Sequence, residues 1–475
     1  MTREVFSHIF NTIHDSIKGT KWENHVYLVG ECVRKLIKHQ DLPNLLEVVV
    51  DLSDGGSEFA KWFAQKLDIY KELTNPIIIK AHGVAKLRYW VEINGKKICV
   101  FIVFSQTRKE KYLSSASNPS LTFGTLAEDL ARRGCTIDAI YYNVSTKRIY
   151  RHAMSHEDLE KGIIRTCSSD ADFTIEDSIV RMMYFIRIST ELGFGIDKKT
   201  WLAICKYAKH YKKIPIANVK AELDRIFLLE KPSGALRKLH HCGLLKRILP
   251  EVYAMMNVKQ GKEHSNDVFE HTMDVVDASP RTSAHRLAAL LHDIGKPSSI
   301  KNNLFGTSFY QHEIKGVPIA KKIMENFGYS ADLIKKISSA IVNHERFANS
   351  KNISKKSVRK FLAEVDSDDV DFILDLIHAN NICHSKRYQK ENQVASIKRT
   401  IDLIMNAEEK RISEILLPVS GADLMDEFNL KSGPHIGYII KELTNRASIS
   451  PKITKEECLA YAKDIVIKEK FPTKS

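Results

Sequence analysis

The sequence lacks the marks of a secreted or membrane-inserted protein. No stretch approaches the roughly 18 consecutive apolar residues of a membrane-spanning helix. The opening residues MTREVFSHIFNTIHDSIKG carry acidic and histidine side chains where a signal peptide has an apolar core. We therefore expect neither secretion nor a membrane as a partner.

The eight cysteines lack the spacing of a disulfide framework or a thiolate zinc site, because no two of them form a Cys-x-x-Cys pair. Scattered cysteines are typical of a reducing compartment, so we expect a cytoplasmic protein. Low-complexity tracts and short-period repeats are absent as well.

The composition is that of a basic globular protein. Hydrophobic residues make up 43% and charged residues 27% of the 475 positions, which excludes disordered, collagen-like and coiled-coil chains. A chain of this length should carry about three domains. Lys and Arg number 72 against 58 Asp and Glu, and a surplus of +14 indicates a polyanionic partner, with nucleic acid ahead of membrane. The alternative is that the surplus only serves solubility.

The periodicity of the apolar residues changes along the chain. In the first 150 residues, short β-branched runs alternate with helical stretches such as Ser57–Leu67, whereas nearly everything after about residue 155 has helical spacing. The predicted strands are Val26–Val29, Val48–Val50, Ile77–Ile79, Ile98–Phe104 and Ile137–Tyr142. Breaks at Lys231-Pro-Ser-Gly, at 257–266 and at 386–392 suggest further boundaries. We predict an α+β protein with a small mixed α/β domain over 1–150, followed by all-α regions over 151–255, 256–390 and 391–475.

The strongest chemical signal lies between residues 264 and 385. Histidines stand at the edges of apolar helical stretches, and one of them is followed by an aspartate; the residues are His271, His292 with Asp293, His312 and His344. Imidazoles and a carboxylate that converge from several helices form a divalent-metal site, in which one carboxylate can bridge two ions. Two bridged ions suit phosphoester hydrolysis. A single histidine on an apolar face is more often a core residue, but four at such positions favour a metal site.

This stretch resembles the HD phosphohydrolase superfamily, whose pattern is His, His-Asp and a distal Asp, with two more histidines in bimetallic forms. Asn380 takes the place of the distal Asp in this sequence. Its amide can coordinate but carries no charge, so we expect weaker metal binding. His384, four residues on, is either a replacement ligand on the same helical face or an ordinary histidine. The resemblance implies Asp293 as a catalytic residue, Lys296 as a phosphate contact, and Mg, Mn, Ni, Fe or Co as the metal.

The first residues of the chain carry a second resemblance. Val26-Tyr-Leu-Val-Gly-Glu-Cys-Val-Arg-Lys predicts a strand, a glycine turn and a helix. This segment resembles the Gly-Gly-x-Val-Arg-Asp opening of the bacterial tRNA nucleotidyltransferase and poly(A) polymerase family, the CCA-adding enzymes. Later stretches resemble the family in its own order and cover nearly the whole chain: Ala131–Ala139, Glu176–Phe194, Asn218–Leu249, Pro418–Met425 and Ser432–Gly437. The resemblance implies a nucleotidyltransferase head, a helical RNA-binding neck, an HD domain and a helical tail, with tRNA or a tRNA-like 3′ end as the partner.

The acidic residues that this family uses for nucleotide transfer are largely replaced. Transfer needs Asp-x-Asp on a strand to hold Mg²⁺, and the register of the valines puts Leu45 in the first place and Glu47 in the second. The run Ile98–Phe104 offers no supporting carboxylate. Residues Glu31, Lys35, Gly134 and Ser178 replace a glycine and three acids of other family motifs, and the neck motif keeps only Glu222. We predict that nucleotide transfer is lost or strongly impaired, with Mg²⁺ binding in the head doubtful.

Basic residues remain in the head and imply phosphate contacts that position RNA. They are Arg34, Arg132, Arg133, Arg181 and Arg187, together with Gly30 at the turn. The alternative for each arginine is an ordinary ion pair.

Three functions follow from these patterns. The first is an RNA-binding member of the family whose HD domain is a metal-dependent hydrolase of phosphomonoesters or 2′,3′-cyclic phosphates, on an RNA 3′ end or a nucleotide. The second is an active CCA-adding enzyme in which Glu47 and either Asp51 or Asp54 hold Mg²⁺. The third is an RNA-binding pseudoenzyme, if Asn380 also inactivates the HD site. The oligomeric state stays open.

Overall fold

A computed structural model describes residues 1–67, 76–79, 83–111, 120–260, 266–303, 306–348, 353–413, 417–449, 453–469 and 471–472. The chain forms two compact units. The first consists of Met1–His344 with Ala379–Gln389, and the second of Glu345–His378 with Lys390–Ser475.

A seven-stranded sheet with the order β3-β4-β5-β2-β1-β8-β9 organises the head. Its strands are β1 Val26–Val29, β2 Leu45–Val50, β3 Ile77–Ile79, β4 Val84–Ile93, β5 Lys96–Gln106, β8 Ile140–Asn143 and β9 Ile149–Arg151. Only β2 and β5 pair in parallel; the other neighbouring strands of this sheet are antiparallel. A separate hairpin joins β6 Arg108–Lys111 to β7 Ser120–Phe123. The helices of the head are α1 Arg3–Ile17, α2 Glu31–Ile37, α3 Gly55–Lys66 and α4 Leu126–Arg132.

One face of the sheet is buried beneath helix α3. The side chains of β4 and β5 alternate between buried and exposed positions, as expected for a sheet with one covered face. Phe59 and Phe63 of α3 pack their rings against Phe104 of β5, at centroid distances of 5.5 and 6.2 Å. The opposite face of β2, β4 and β5 is open to solvent.

Helices form most of the rest of the first unit. They are α5 Ser155–Lys161, α6 Ala171–Asp177, α7 Arg181–Leu192, α8 Lys198–Tyr207, α9 Ile216–Phe227, α10 Ser233–His241, α11 Leu245–Ile248, α12 Pro250–Tyr253, α13 Val268–Ala278, α14 Ser283–Leu291, α15 His312–Asn326 and α16 Ala331–Asn343. The side chains of Asp267, Thr282 and Ser330 cap α13, α14 and α16, and so fix where three of the HD helices begin. Two short sheets lie among these helices: parallel β10 Ile163–Ile164 with β11 Gly195–Ile196, and antiparallel β12 Ile300–Asn303 with β13 Gly306–Phe309.

The second unit is helical. Its helices are α17 Lys355–Glu364, α18 Val370–Ile382, α19 Gln393–Ser413, α20 Gly421–Glu427, α21 Pro434–Ile449 and α22 Lys455–Glu469, of which α18 ends in the first unit. The tail has its own core around Leu424, Leu430, Ile439, Leu443 and Cys458. No helix in the described part of the chain is both long and apolar enough to cross a membrane.

The predicted α+β fold class is confirmed, and two local predictions are wrong. The run Ile137–Tyr142 is not one strand, because Thr136–Asp138 forms a 3-10 turn before β8 begins. The HD region is not purely helical, because β12 and β13 form a hairpin. The boundaries at 150, 255 and 390 stay predictions, and part of the predicted linker 257–266 lies outside the described residues.

Candidate metal centre and head cleft

Six buried polar side chains cluster in the first unit, with the carboxylate of Asp293 at their centre. None of them is more than 4% exposed. They come from the first turn of α13, the end of α14, the start of α15, the end of α16 and the last turn of α18. We call them the HD centre: His271, His292, Asp293, His312, His344 and Asn380. The structure therefore brings together every metal ligand that the sequence predicted.

The Asp293 carboxylate divides the histidines into two groups. Its Oδ2 lies 3.2 Å from His292 Nε2 and 4.0 Å from His271 Nε2. Its Oδ1 lies 3.3 Å from His312 Nε2 and 3.6 Å from His344 Nε2. Ligand atoms about 2.1 Å from one ion lie about 3 to 3.5 Å apart, so each group has nearly the spacing of a coordination sphere.

Three of the histidines are oriented by their own helix or turn. The Nδ1 atoms of His292, His312 and His344 lie 2.7, 3.0 and 2.6 Å from the carbonyl oxygens three residues earlier. A carbonyl only accepts, so Nδ1 donates, and Nε2 faces the centre, where it can bind a metal ion once it is not protonated. His292 Nε2 is buried and makes no well-aligned hydrogen bond in the described part of the chain, although Asp293 Oδ2 lies 3.2 Å away. Such an atom fits a divalent ion.

Lys296 and Gln260 complete the polar surroundings of Asp293. Lys296 Nζ lies 2.7 Å from Asp293 Oδ2 and donates to Gln260 Oε1 at 2.8 Å. Burial acts to raise the pKa of Asp293, but His292 and Lys296 outweigh it and hold that pKa well below its ordinary value. Asp293 is therefore a stable anion. Sequence reasoning missed Gln260, which lies in the stretch that we predicted as a linker.

Asn380 Oδ1 lies 2.9 Å from His271 Nε2, in the place where the family pattern has its distal acid. The helical-face argument for His384 is wrong, because α18 ends at Ile382. The His384 ring instead stacks on that of His271, with centroids 5.7 Å apart. Its role as a ligand stays a prediction.

A close approach between two glycines brings His312 to Asp293. A Cβ on Gly295 would collide with the carbonyl oxygen of His312 and would lie 2.7 Å from the backbone nitrogen of Gly316. The loop after α14 can therefore touch the first turn of α15 only because both positions lack a side chain.

The head holds a second polar site, a cavity of about 750 Å³ that we call the head cleft. Seven arginines line it against four acids: Arg108, Arg132, Arg133, Arg181, Arg187, Arg225 and Arg281, and Glu31, Glu47, Asp138 and Glu191. The cleft therefore has an excess of positive charge.

The described residues of the head cleft do not bring three metal-ligating side chains together. Leu45 lies on the cleft side of β2, and Val103 is the register partner of Glu47 on β5. Arg133 reaches within 3.9 Å of Glu47. Surrounding protein atoms desolvate the Glu47 carboxylate and raise its pKa, although the nearby Arg133 guanidinium opposes this shift. In the described residues, clusters of three or more metal ligands occur only at the HD centre.

Asp51 and Asp54 do not join Glu47. Neither lines the cleft, and Asp51 lies four residues along the chain, about 13 Å in an extended strand. Asp51 instead accepts a hydrogen bond from Thr107 Oγ1 at 2.8 Å.

The predicted phosphate contacts divide into two kinds. Arg132, Arg133, Arg181 and Arg187 line the head cleft, although each also has an acidic partner. Arg34 does not line it; it is 1% exposed and its Nε donates to Asp138 at 2.7 Å. For Arg34, the structure therefore favours an ordinary ion pair over the predicted phosphate contact.

Gly30 adopts a φ of 74°, and a Cβ there would lie 2.7 Å from Glu47 Oε2. The glycine turn thus keeps the cleft open beside Glu47.

Three family models match the chain in order. The poly A polymerase head domain matches residues 26–165, the probable RNA and SrmB-binding site of polymerase A matches 193–256, and the HD domain matches 262–380.

Curated relatives match over long stretches. The chain is 24% identical over 356 residues to the CC-adding tRNA nucleotidyltransferase of Thermus thermophilus, a match that covers 71% of this chain and 77% of that one. It is 23% identical over 348 residues to the A-adding tRNA nucleotidyltransferase of Deinococcus radiodurans, which covers 71% and 78%. A third match, to the multifunctional CCA protein of Chromobacterium violaceum, has 27% identity and covers 51% and 60%.

Solved structures share the fold. The Bacillus stearothermophilus CCA-adding enzyme in complex with CTP matches with a TM-score of 0.57 at 15% identity, over 99% of both chains. The Thermotoga maritima CCA-adding enzyme complexed with tRNA matches with a TM-score of 0.53 at 14% identity, over 98% of this chain and 96% of that one.

Proposed function

The chain belongs to the tRNA nucleotidyltransferase and poly(A) polymerase family with an HD domain, and on that premise we propose that it binds an RNA 3′ end and hydrolyses a phosphoester in the HD domain. The substrate class is a phosphomonoester or a 2′,3′-cyclic phosphate on tRNA, on a tRNA-like RNA or on a nucleotide. The observation that carries the proposal is the arrangement of four imidazoles around the two oxygens of Asp293.

The HD domain implies a divalent metal, and the residues present fit one. A pair of divalent ions supplies Lewis acidity and activates water for attack on phosphorus when bound. His271 and His292 would hold one ion and His312 and His344 the other, with Asp293 shared. Asn380 adds an oxygen without charge beside His271. Lys296 puts a cation beside Asp293, where it favours an anionic phosphoester.

The test is EDTA-sensitive hydrolysis by the purified protein. We expect turnover of a 2′,3′-cyclic nucleotide or of a terminal phosphate on RNA in the presence of Mn²⁺, Ni²⁺, Co²⁺, Fe²⁺ or Mg²⁺. His292→Ala should abolish it, and His156→Ala, at an exposed position of α5, should not. A protein that binds no metal and shows no turnover under any of these conditions would contradict the proposal.

RNA as the partner is supported by the head cleft and by the relatives. A cleft with more arginines than acids suits phosphate groups, which such residues position without reading sequence. The Thermotoga maritima structural neighbour is complexed with tRNA. Filter binding of tRNA at increasing salt tests this point, because phosphate contacts make affinity fall with ionic strength.

Nucleotide transfer is the second candidate, and the names of the relatives favour it, since they are CC-adding and A-adding enzymes. The head cleft argues against it, since Leu45 takes the place of the first acid of the family pattern, and Val103, the partner of Glu47 on β5, offers no carboxylate. We expect no incorporation of labelled CTP or ATP into tRNA that lacks its terminal CCA. Incorporation that disappears on Glu47→Ala would establish the transferase and overturn the predicted impairment.

A further inference from the structure

The solvent-exposed face of strands β2, β4 and β5 carries large aromatic side chains beside cations. We propose that this face binds unpaired nucleotides of an RNA 3′ end by stacking bases on Trp90 and Phe101. We call it the stacking face and define it by Leu45, Lys86, Arg88, Trp90 and Phe101. The proposal rests on the RNA partner proposed above.

Exposure and strand alternation support this assignment. Trp90 is 52% and Phe101 45% exposed, whereas their neighbours Tyr89, Val91, Val100 and Ile102 are buried on the opposite face. The two rings are therefore not part of the core that α3 covers. Exposure of two large aromatic side chains to water is unfavourable, so a ligand that covers them gains binding free energy from the buried apolar surface.

The register places these side chains beside each other. Phe101 pairs with Arg88, and Trp90 pairs with Cys99, two residues before Phe101. The two aromatic rings are thus diagonal neighbours on adjacent strands. The Arg88 guanidinium already lies 5.8 Å from the centroid of the Phe101 ring. Aromatic planes with an arginine beside them are how proteins hold single-stranded nucleic acid.

The stacking face is continuous with the head cleft. Leu45 pairs with Phe101, and the next positions on the same face, Glu47 and Val103, pair with each other. Leu45, Glu47 and Val103 all line the cleft. An RNA strand whose phosphates lie against the cleft arginines can therefore lay its neighbouring bases on Phe101 and Trp90.

Charge favours RNA over a protein partner. Lys86 and Arg88 alternate with Trp90 along β4, and the acids on the described part of this face of β2, β4 and β5 are Glu47 and Glu92. Bases with phosphates between them match such an alternation.

The test compares two RNA probes and matched variants of the full chain. One probe is an acceptor-stem hairpin with a 3′ overhang of four unpaired nucleotides, and the other is the same hairpin with a blunt end. Trp90→Ala and Phe101→Ala should each weaken binding of the overhang probe about tenfold, because each removes an aromatic ring on which one base stacks. Neither should change the affinity for the blunt probe.

Controls separate stacking from general damage. Trp90→Phe should recover most of the affinity but not the quenching of tryptophan fluorescence by the overhang probe. Tyr310→Ala removes an aromatic that is 64% exposed and faces Lys301 on the β12–β13 side of the unit, and should have no effect.

Three outcomes would overturn the assignment. If the variants bind the overhang probe as the parent does, the stacking face is wrong and the RNA proposal stands. If the parent binds neither probe nor tRNA, the proposed function itself fails. If Trp90→Ala abolishes self-association without changing RNA affinity, the face is covered by a second copy of the chain.

Discussion

At the scale of single residues, Asp293 presents each oxygen to a different pair of imidazoles, so the two halves of the HD centre can be separated by mutation. His312→Ala removes a ligand from the Oδ1 side and leaves His271 and His292 in place on the Oδ2 side. We expect this variant to keep one ion per chain where the parent binds two. Measurement of the metal content after dialysis checks this prediction. Loss of both ions from a folded variant would contradict the division of the histidines into two independent metal-binding groups.

Asn380 supplies no charge, and we therefore expect it to weaken metal binding at the HD centre. Asn380→Asp should tighten metal binding by about tenfold or more, the size of effect that ligand surroundings commonly produce. The same variant without metal should melt at a lower temperature, since a second carboxylate would lie near Asp293. Calorimetric titration with Mn²⁺ and thermal unfolding with and without it provide both readouts. Unchanged affinity would show that Asn380 lies outside the coordination sphere.

At the scale of secondary-structure elements, a buried carboxylate links α4 to the strands of the head. Asp129 is 0% exposed; it accepts from Arg132 Nε at 2.9 Å, from the backbone of Arg108 at 3.1 Å and from the Tyr141 hydroxyl. This network holds Arg132 and Arg133 at the head cleft.

The stability that Asp129 provides should depend on pH. Burial acts to raise its pKa, but Arg133 and Arg132 outweigh this and lower it. A lowered pKa stabilises the fold fully above the unfolded value of about 3.9, and this contribution is lost as pH falls through the folded value. Asp129→Asn should therefore cost about 3 kcal/mol at pH 7 and progressively less below pH 4. Denaturant unfolding across this range is the measurement.

Asp172→Asn is the matched control, because Asp172 forms an exposed pair with Lys206. It should cost less than about 1 kcal/mol at any pH. A pH-independent cost of Asp129→Asn would contradict the assigned charge.

The contact between the loop after α14 and the first turn of α15 is a second link at this scale. Gly295→Ala should push His312 away from Asp293, destabilise the protein by at least about 2 kcal/mol and reduce bound metal to one ion. Gly437→Ala, in the first turn of α21 where a Cβ meets open space, should be neutral or slightly stabilising. Equal effects of the two changes on metal content would contradict the role of Gly295.

At the scale of the whole molecule, the sequence predicted chemistry better than it predicted contacts. The ligands of the HD centre could be predicted because His-Asp and three further histidines stand at the ends of apolar helical stretches. Such positions can be recognised in the sequence without knowing how the helices pack. Gln260 and the burial of Arg34 depend on contacts over long sequence separations, and no local pattern shows them. The stacking face had a local signal, since exposed and buried residues alternate along β4, but aromatics on both faces obscured it.

The net charge of +14 also has a clearer meaning in the structure. Several arginines of the head cleft have acidic partners, so the cleft is less positive than the count of arginines suggests. The positive charge that remains in the cleft lies beside Leu45, the position at which the family pattern has a metal-binding acid. The cleft arginines thus keep positive charge in the head, and the clusters of three metal-ligating side chains among the described residues lie in the HD centre.

The most direct test of the account is electron paramagnetic resonance of the metal-free protein titrated with Mn²⁺. Two ions that share one carboxylate lie about 4 Å apart, so their spins couple. We predict a coupled signal that is complete at two equivalents and absent in Asp293→Asn. A single uncoupled Mn²⁺, or none bound at the HD centre, would contradict the proposed two-ion site.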